Sequence, residues 1–170
     1  MAQRFDLVVL GGGLTGLALA DAVGGAGFDV AVVEWAPLAA LTATPYDGRV
    51  TAVAAGSRRL LETVGVWRHL DGRAQPIRDI VVREGFSPVR VHYDHRDIGP
   101  EPLGHIVENR YLREALLARA RELPSVGLPA PAEVALADGR RLRAPLVAVC
   151  EGRGSGTRER LGIGVRRQRA

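Results

Sequence analysis

The stretch Phe5–Glu34, FDLVVLGGGLTGLALADAVGGAGFDVAVVE, reads as a strand, a glycine-rich turn, a helix and a second strand that ends in a carboxylate. Leu7 to Leu10 is a short apolar run of the kind that a parallel strand, covered on both faces, requires. Gly11, Gly13 and Gly16 follow in the G-x-G-x-x-G pattern. The first makes the tight turn, the second lets the backbone approach a pyrophosphate, and the third lets helix pack closely on strand. The pattern predicts a helix over Thr15–Ala26 whose first N–H groups and positive dipole end face the phosphates. Leu14 and Thr15, between the second and third glycines, are counted with them as cofactor-binding positions.

A bare G-x-G-x-x-G has ordinary loop use as its alternative reading, and its surroundings argue against that here. Ala20 continues the close-packed face one turn after Gly16, and Gly27 stands where a helix stop is wanted. Val30, Val32 and Val33 make the second strand. Glu34 closes it about twenty residues after the last motif glycine, where a carboxylate accepts both ribose hydroxyls. Such charge-assisted bonds contribute about 1.5–3 kcal/mol each. A carboxylate there repels a 2′-phosphate, so this site is not expected to hold NADP. A Rossmann-like unit without a ligand remains the bland alternative.

A chain of 170 residues suffices for one sizeable core. All 23 basic side chains are Arg, so neither a Schiff base nor a lysine general base is available. The net charge of +4 is not accompanied by an aromatic-rich basic stripe, and much of the excess lies in Arg166, Arg167 and Arg169, so no nucleic-acid partner is expected. Cys150 is the only cysteine, which excludes an internal disulfide, and its apolar surroundings suit a buried small hydrophobe. His92 and His95 form an H-x-x-H pair with no third ligand in view, so no metal site is expected. The first strand begins at about Phe5, which leaves no room for a signal peptide, and no apolar run is long enough for a membrane span. A cytoplasmic location is expected, and a peripheral membrane contact is compatible with it.

Beyond Glu34 the chain runs through an exposed connection, Trp35 to Pro45, to a turn at Tyr46-Asp47-Gly48-Arg49. Val50 to Ala54 follows, then a predicted helix from about Ser57, with Ser57 as cap and Leu60, Leu61 and Val64 on one face. Gly65 can stop it. Arg49 reads either as a solvated turn charge or as a fork reaching a phosphate or ribose. Pro76 to Tyr93 changes to period two and predicts a hairpin or a pair of strands. Ile106 and Val107 form a short strand before Asn109, a predicted cap for a helix to about Leu123 with Leu112, Ala115, Leu116 and Ala120 inward. A hairpin is predicted around Asp138-Gly139, then a buried strand at Leu146–Cys150, then the glycine-rich run Glu151-Gly152-Arg153-Gly154-Ser155-Gly156-Thr157-Arg158.

The segments GGGLTGLALA (11–20) and DGRVTAVAAGSRRLLETVGVW (47–67), taken together, resemble the FAD-dependent aromatic hydroxylases, particularly those of ubiquinone biosynthesis. The resemblance gives Arg49 a contact to FAD and places Asn109, within VENRYLREAL, on the flavin side of the cofactor. It also matches Glu151–Arg158 to the family's D-G-x-x-S-x-x-R run, with Glu in place of Asp at the first position. There Glu151, Gly152, Ser155 and Arg158 would close onto the pyrophosphate and help with nicotinamide nucleotide. The fold it implies is α/β: a Rossmann-like FAD-binding domain with a parallel central sheet, plus a partial β-sheet from the substrate region. Residues 1–170 form a single, incomplete FAD-binding domain on this view, with 76–105 as a partial substrate-sheet insertion.

The implied reaction is hydroxylation of an electron-rich aromatic ring, with NAD(P)H as reductant and a small aromatic or polyprenyl-phenol substrate. A contact with the membrane surface or with a biosynthetic complex fits such a substrate. No side chain is singled out as a catalytic acid or base. The later Gly-Asp segment of the family and the rest of its substrate sheet have no counterpart, and Val126–Asp138 looks shortened. The sequence therefore keeps a second reading open, a non-catalytic FAD- or ADP-binding remnant. A simple NAD dehydrogenase is the weaker third.

Overall fold

A computed structural model describes residues 3–36, 46, 48–70, 72–86, 88–127 and 142–165. The chain divides into two compact units, one of residues 1–43 and 116–170, the other of residues 44–115.

The first unit opens with a two-residue strand β1 (Gln3–Arg4), then β2 (Leu7–Leu10), helix α1 (Leu14–Gly25) and β3 (Val30–Val33). Side chains alternate along a strand, so Leu7 and Val9 share one face of β2 and Val8 and Leu10 the other. Leu7 and Val9 join Ala20 of α1 and Val30 and Val32 of β3 in the core cluster. The helix ends as expected. Gly27 takes φ +91°, which a residue with a side chain rarely adopts, and its N–H donates to the Gly24 carbonyl at 3.0 Å.

The second unit contains β4 (Val50–Ala54), α2 (Ala55–Thr63), a 3-10 turn at Trp67–Leu70, β5 (Ala74–Ile77), β6 (Asp79–Arg83), β7 (Arg90–Asp94), a 3-10 turn at His95–Asp97 and β8 (Gly104–Glu108). Helix α3 (Asn109–Glu122) starts here, and its residues from Leu116 onward belong to the first unit. Strands β4, β8 and β5 form an antiparallel sheet in that order, and β6 and β7 form a separate hairpin. The predicted hairpin is thus present, and Leu112, Ala115, Leu116 and Ala120 of α3 are buried as expected.

Two expectations in this unit are corrected. Helix α2 begins at Ala55, not at Ser57, because the Ala55 N–H already has a partner in the Leu103 carbonyl at 3.1 Å. Ala54 is the N-cap with extended backbone, so Ser57 lies inside the helix and does not cap it. Leu60 is 56% exposed and points away from the buried side marked by Leu61. Gly65 does end this stretch, at φ +82°.

The first unit is completed by β9 (Val126–Gly127), β10 (Leu142–Arg143), β11 (Leu146–Val149) and a short helix α4 (Gly156–Arg160). Its main sheet is parallel throughout, in the order β11-β2-β3-β9, and β1 pairs in parallel with β10. This is the expected parallel central sheet. The expectation that Leu146–Cys150 is buried fails, since Leu146 is 63% and Val147 50% exposed. Among the described residues the strand is an edge of the sheet, and of the stretch's side chains Ala148 and Cys150 pack against the core cluster. On the face away from α1, the lining of a cavity of about 780 Å³ includes Val8, Leu10, Val33 and Val147 together with Arg4 and Arg143. The predicted turn residue Asp47 and the hairpin at Asp138-Gly139 lie outside the described residues.

Candidate functional site

The carboxyl ends of β2 and β3 bring the glycine turn and Glu34 together. Gly11 takes φ +107°, and a Cβ on it would stand 2.6 Å from the Cys150 carbonyl oxygen. The chain is held there from both sides: the Gly11 N–H donates to Val33 O at 2.7 Å, and the Cys150 N–H donates to Leu10 O at 2.6 Å. A Cβ on Gly16 would lie 1.9 Å from the Gly11 carbonyl oxygen, so only glycine lets α1 pack this tightly against the turn.

Gly13 differs from both. It is the N-cap of α1, and a Cβ built on it would meet nothing within 4 Å. Its backbone faces open space. Helix geometry leaves the first N–H groups of α1 without an intrahelical carbonyl, and here the cap residue, Gly13, has no side chain to cap them and no acid stands in the first turn. The positive end of the helix is thus presented to whatever enters beside Gly13, Leu14 and Thr15.

Glu34 lies against this turn. Its Oε2 accepts the Gly12 N–H at 2.7 Å and its Oε1 accepts the Ala36 N–H at 3.1 Å. The carboxylate is therefore fixed next to the glycine turn by backbone donors, with lone pairs to spare for further donors. Gly12 was not among the predicted binding residues. The signal available was its place between two motif glycines, since a Cβ on it would press on the Glu34 side chain at 3.1 Å.

The run after β11 forms a compact cap. Glu151 accepts from the Ser155 hydroxyl at 2.7 Å and from the N–H and hydroxyl of Thr157, each at 3.0 Å. Ser155, itself buried, accepts the Arg158 N–H at 3.1 Å as N-cap of α4. Hydrogen bonds from Ser155 and Thr157 hold the Glu151 carboxyl below its ordinary range. The longer Glu side chain thus turns onto its own helix terminus. Gly152 takes φ +77°, and Arg158 Nη2 donates to the Arg153 carbonyl at 3.0 Å. Thr157 occupies one of the unspecified positions of the motif, so nothing in the sequence marked it.

In the second unit, β4 and β8 bring Arg49 and Asn109 together although they are distant in sequence. The Asn109 N–H donates to the Arg49 carbonyl at 3.1 Å, and the Thr51 hydroxyl donates to Asn109 Oδ1 at 2.6 Å. Asn109 is already the first residue of α3, one place inside the cap position expected for it, and its side-chain oxygen is taken by Thr51. Beside it, Arg110 pairs with Glu108 at 2.6 Å and stacks on the Tyr111 ring at 4.5 Å. His92 Nε2 lies 2.9 Å from Asp79 Oδ1 on the exposed hairpin, an ordinary surface pair. Among the described residues no three His, Cys, Asp or Glu side chains converge as a metal set.

Residues 4–170 match the family described as FAD binding domain. The chain belongs to that family. The expected cofactor, FAD, is the one by which the family is described, and the sequence resemblance is supported by the relatives. The domain is 42% identical over 95% of its length to ubiquinone hydroxylase UbiL of Rhodospirillum rubrum, covering 40% of that protein. It is 33% identical over 96% of its length to the 3-demethoxyubiquinol 3-hydroxylase of Escherichia coli, covering 45% of it. The chain thus spans less than half the length of these curated relatives. Among solved structures, p-nitrophenol 4-monooxygenase PnpA from Pseudomonas putida superposes with a TM-score of 0.73 at 22% identity, over 95% of this domain and 44% of that chain. The flavin-dependent monooxygenase PieE, solved with FAD and substrate, has a TM-score of 0.70 at 16% identity, over 96% of this domain and 33% of that chain. These likenesses establish the fold. No helix among the described residues is long and apolar enough to cross a membrane.

Proposed function

We propose that the chain is the FAD-binding part of a flavin-dependent monooxygenase that hydroxylates an aromatic ring in ubiquinone biosynthesis. The observation that carries the binding step is the open, uncapped N-terminus of α1 beside Gly13, with Glu34 fixed next to it. Similarity to hydroxylases of ubiquinone biosynthesis supports the choice of reaction.

In this reading the N–H groups of Leu14, Thr15 and Gly16 receive the pyrophosphate, and Glu34 takes the adenosine ribose hydroxyls while keeping Gly12 in register. Gly11 and Gly16 hold the turn in shape. Glu151, Gly152, Ser155 and Arg158 close on the cofactor as a preformed cap, so that little order has to be created on binding. Arg49 and Asn109, braced by Thr51, are assigned FAD contacts by the family resemblance. Residues 76–105 are assigned to the start of a substrate-side sheet. When bound, FAD reduced by a nicotinamide nucleotide supplies the oxygen activation that ring hydroxylation needs. The protein supplies position and exclusion of water, and no side chain here is assigned a proton-transfer role. The substrate class is a polyprenyl-phenol, which favours work at a membrane surface.

The test is oxygen uptake by the protein with FAD and NADH or NADPH, with and without a short-chain polyprenyl phenol, and mass analysis of the product. Stimulated uptake with a gain of one oxygen atom in the phenol supports the reading. A chain that binds no FAD contradicts the reading, and bound FAD without substrate-stimulated uptake removes the hydroxylation step from these residues and leaves a domain that binds the cofactor without turnover.

A further inference from the structure

Among the described residues, Asp21 is the one fully buried carboxyl. It sits on α1 on the side of Leu17, Ala20 and Gly24, which are buried with it. Both of its oxygens are inaccessible and accept no hydrogen bond from the protein. A carboxyl in that position is strongly penalised in its charged form.

A cation stands close by. Residues 21 and 25 are four apart on α1 and so lie one above the other on one face of the helix. Arg119 Nη2 of α3 is 3.6 Å from where a Cβ on Gly25 would be. The guanidinium therefore overhangs the face that carries Asp21, about one helical turn, or 5.4 Å, further along. Glu122 holds it there, with Oε2 3.1 Å from Arg119 Nη1.

We propose that Asp21, Arg119 and Glu122 form a pH-sensitive switch between α1 and α3, in which Arg119 pairs with Glu122 while Asp21 is protonated and turns to Asp21 when that carboxyl ionises. The proton goes to solvent. The charged groups that act on Asp21 are these two residues of α3, whereas the neighbouring strands β3 and β9 offer Val30, Val32 and Val126. Burial pushes Asp21 up to about 7, against the pull of Arg119 and with the help of Glu122. Because the folded-state value is raised, its stabilising contribution is full below the ordinary value of 3.8 and is lost as pH rises through about 7. The switch therefore acts in the neutral range, on the helix whose other end carries the glycine turn.

The test follows the side-chain carboxyl carbons of the 170-residue chain by NMR between acid and mildly alkaline pH, with Asp21→Asn identifying the Asp21 signal. Asp21 is expected to titrate near neutrality, the Arg119 guanidinium signals to move with the same midpoint, and Glu122→Gln to lower that midpoint by about one unit. Thermal stability of the unmodified chain should fall across the same range, and that of Asp21→Asn should not. Titration of Asp21 in the ordinary carboxylate range overturns the proposal, as do Arg119 signals that ignore it or a midpoint unmoved by Glu122→Gln. Should Asp21→Asn fail to fold, the unmodified chain and Glu122→Gln still decide it.

Discussion

The Gly16 α-carbon lies so close to the Gly11 carbonyl that an added methyl group would stand 1.9 Å from the oxygen. Backbone, not a flexible side chain, is the obstacle, so neither partner can yield cheaply. Overpacked side chains typically cost about 1–3 kcal/mol, and a backbone clash belongs at or above the top of that range. Gly16→Ala is therefore expected to lower unfolding free energy by about 3 kcal/mol or more, measured by urea denaturation. A loss below about 1 kcal/mol would show that α1 does not pack on the turn as described.

Glu34 offers its carboxylate to the Gly12 amide and, in the proposed complex, to ribose hydroxyls. Glu34→Gln keeps the shape and removes the charge. Charge-assisted bonds contribute about 1.5–3 kcal/mol, so FAD affinity should drop roughly 10- to 150-fold with little loss of stability. Isothermal titration with FAD reads this directly. An unchanged dissociation constant would remove Glu34 from the site.

The cap around Glu151 sets a pH dependence opposite in sign to that of Asp21. Hydrogen bonds from Ser155 and Thr157 depress the Glu151 carboxyl, so its contribution is full above the ordinary value of 4.5 and is lost as pH falls through the depressed value. The amide protons of Thr157 and Arg158 should hold their chemical shifts from neutrality down past pH 4.5 and move together only at lower pH. Ser155→Ala should loosen α4 at all pH values, by about 1 kcal/mol for a lost N-cap. Movement of these amides in the neutral range would contradict the cap.

Thr51 donates to Asn109 at 2.6 Å and fixes that amide beside Arg49. Thr51→Val removes the donor at similar volume and should cost about 0.5–1.5 kcal/mol of stability, seen as a lowered melting temperature. In the proposed complex it should also weaken FAD. If affinity survives while stability drops, the pair is structural and Asn109 has no part in the cofactor site.

The sequence made the local features readable. The turn at Gly11–Gly16, strands β2 and β3 and the Glu34 terminus depend on short-range period and on glycines that nothing else can replace. What it hid depended on distant partners. Ser57 looked like a cap, yet the Leu103 carbonyl had already taken the Ala55 N–H two residues earlier. Leu146–Cys150 reads as buried because an apolar run looks the same at the edge of a sheet as at its centre. The meeting of Arg49 with Asn109 required the β4–β8 pairing, and the Thr157 contact to Glu151 required a side chain that no motif position specifies.

The central claim is that the backbone at Gly13 is left open for a pyrophosphate. Since a Cβ there meets nothing within 4 Å among the described residues, Gly13→Ala and Gly13→Val should fold as the parent does, and any loss of binding by a folded variant reports the ligand's approach. The decisive measurement is an FAD titration of parent and variants, followed by flavin fluorescence and visible absorption, with circular dichroism confirming the fold. Saturable binding of one FAD by the parent, and at least about 100-fold weaker binding by a folded variant, is the predicted result, equivalent to about 2.7 kcal/mol. A folded parent that binds no FAD, or a variant that binds it equally well, would contradict the account.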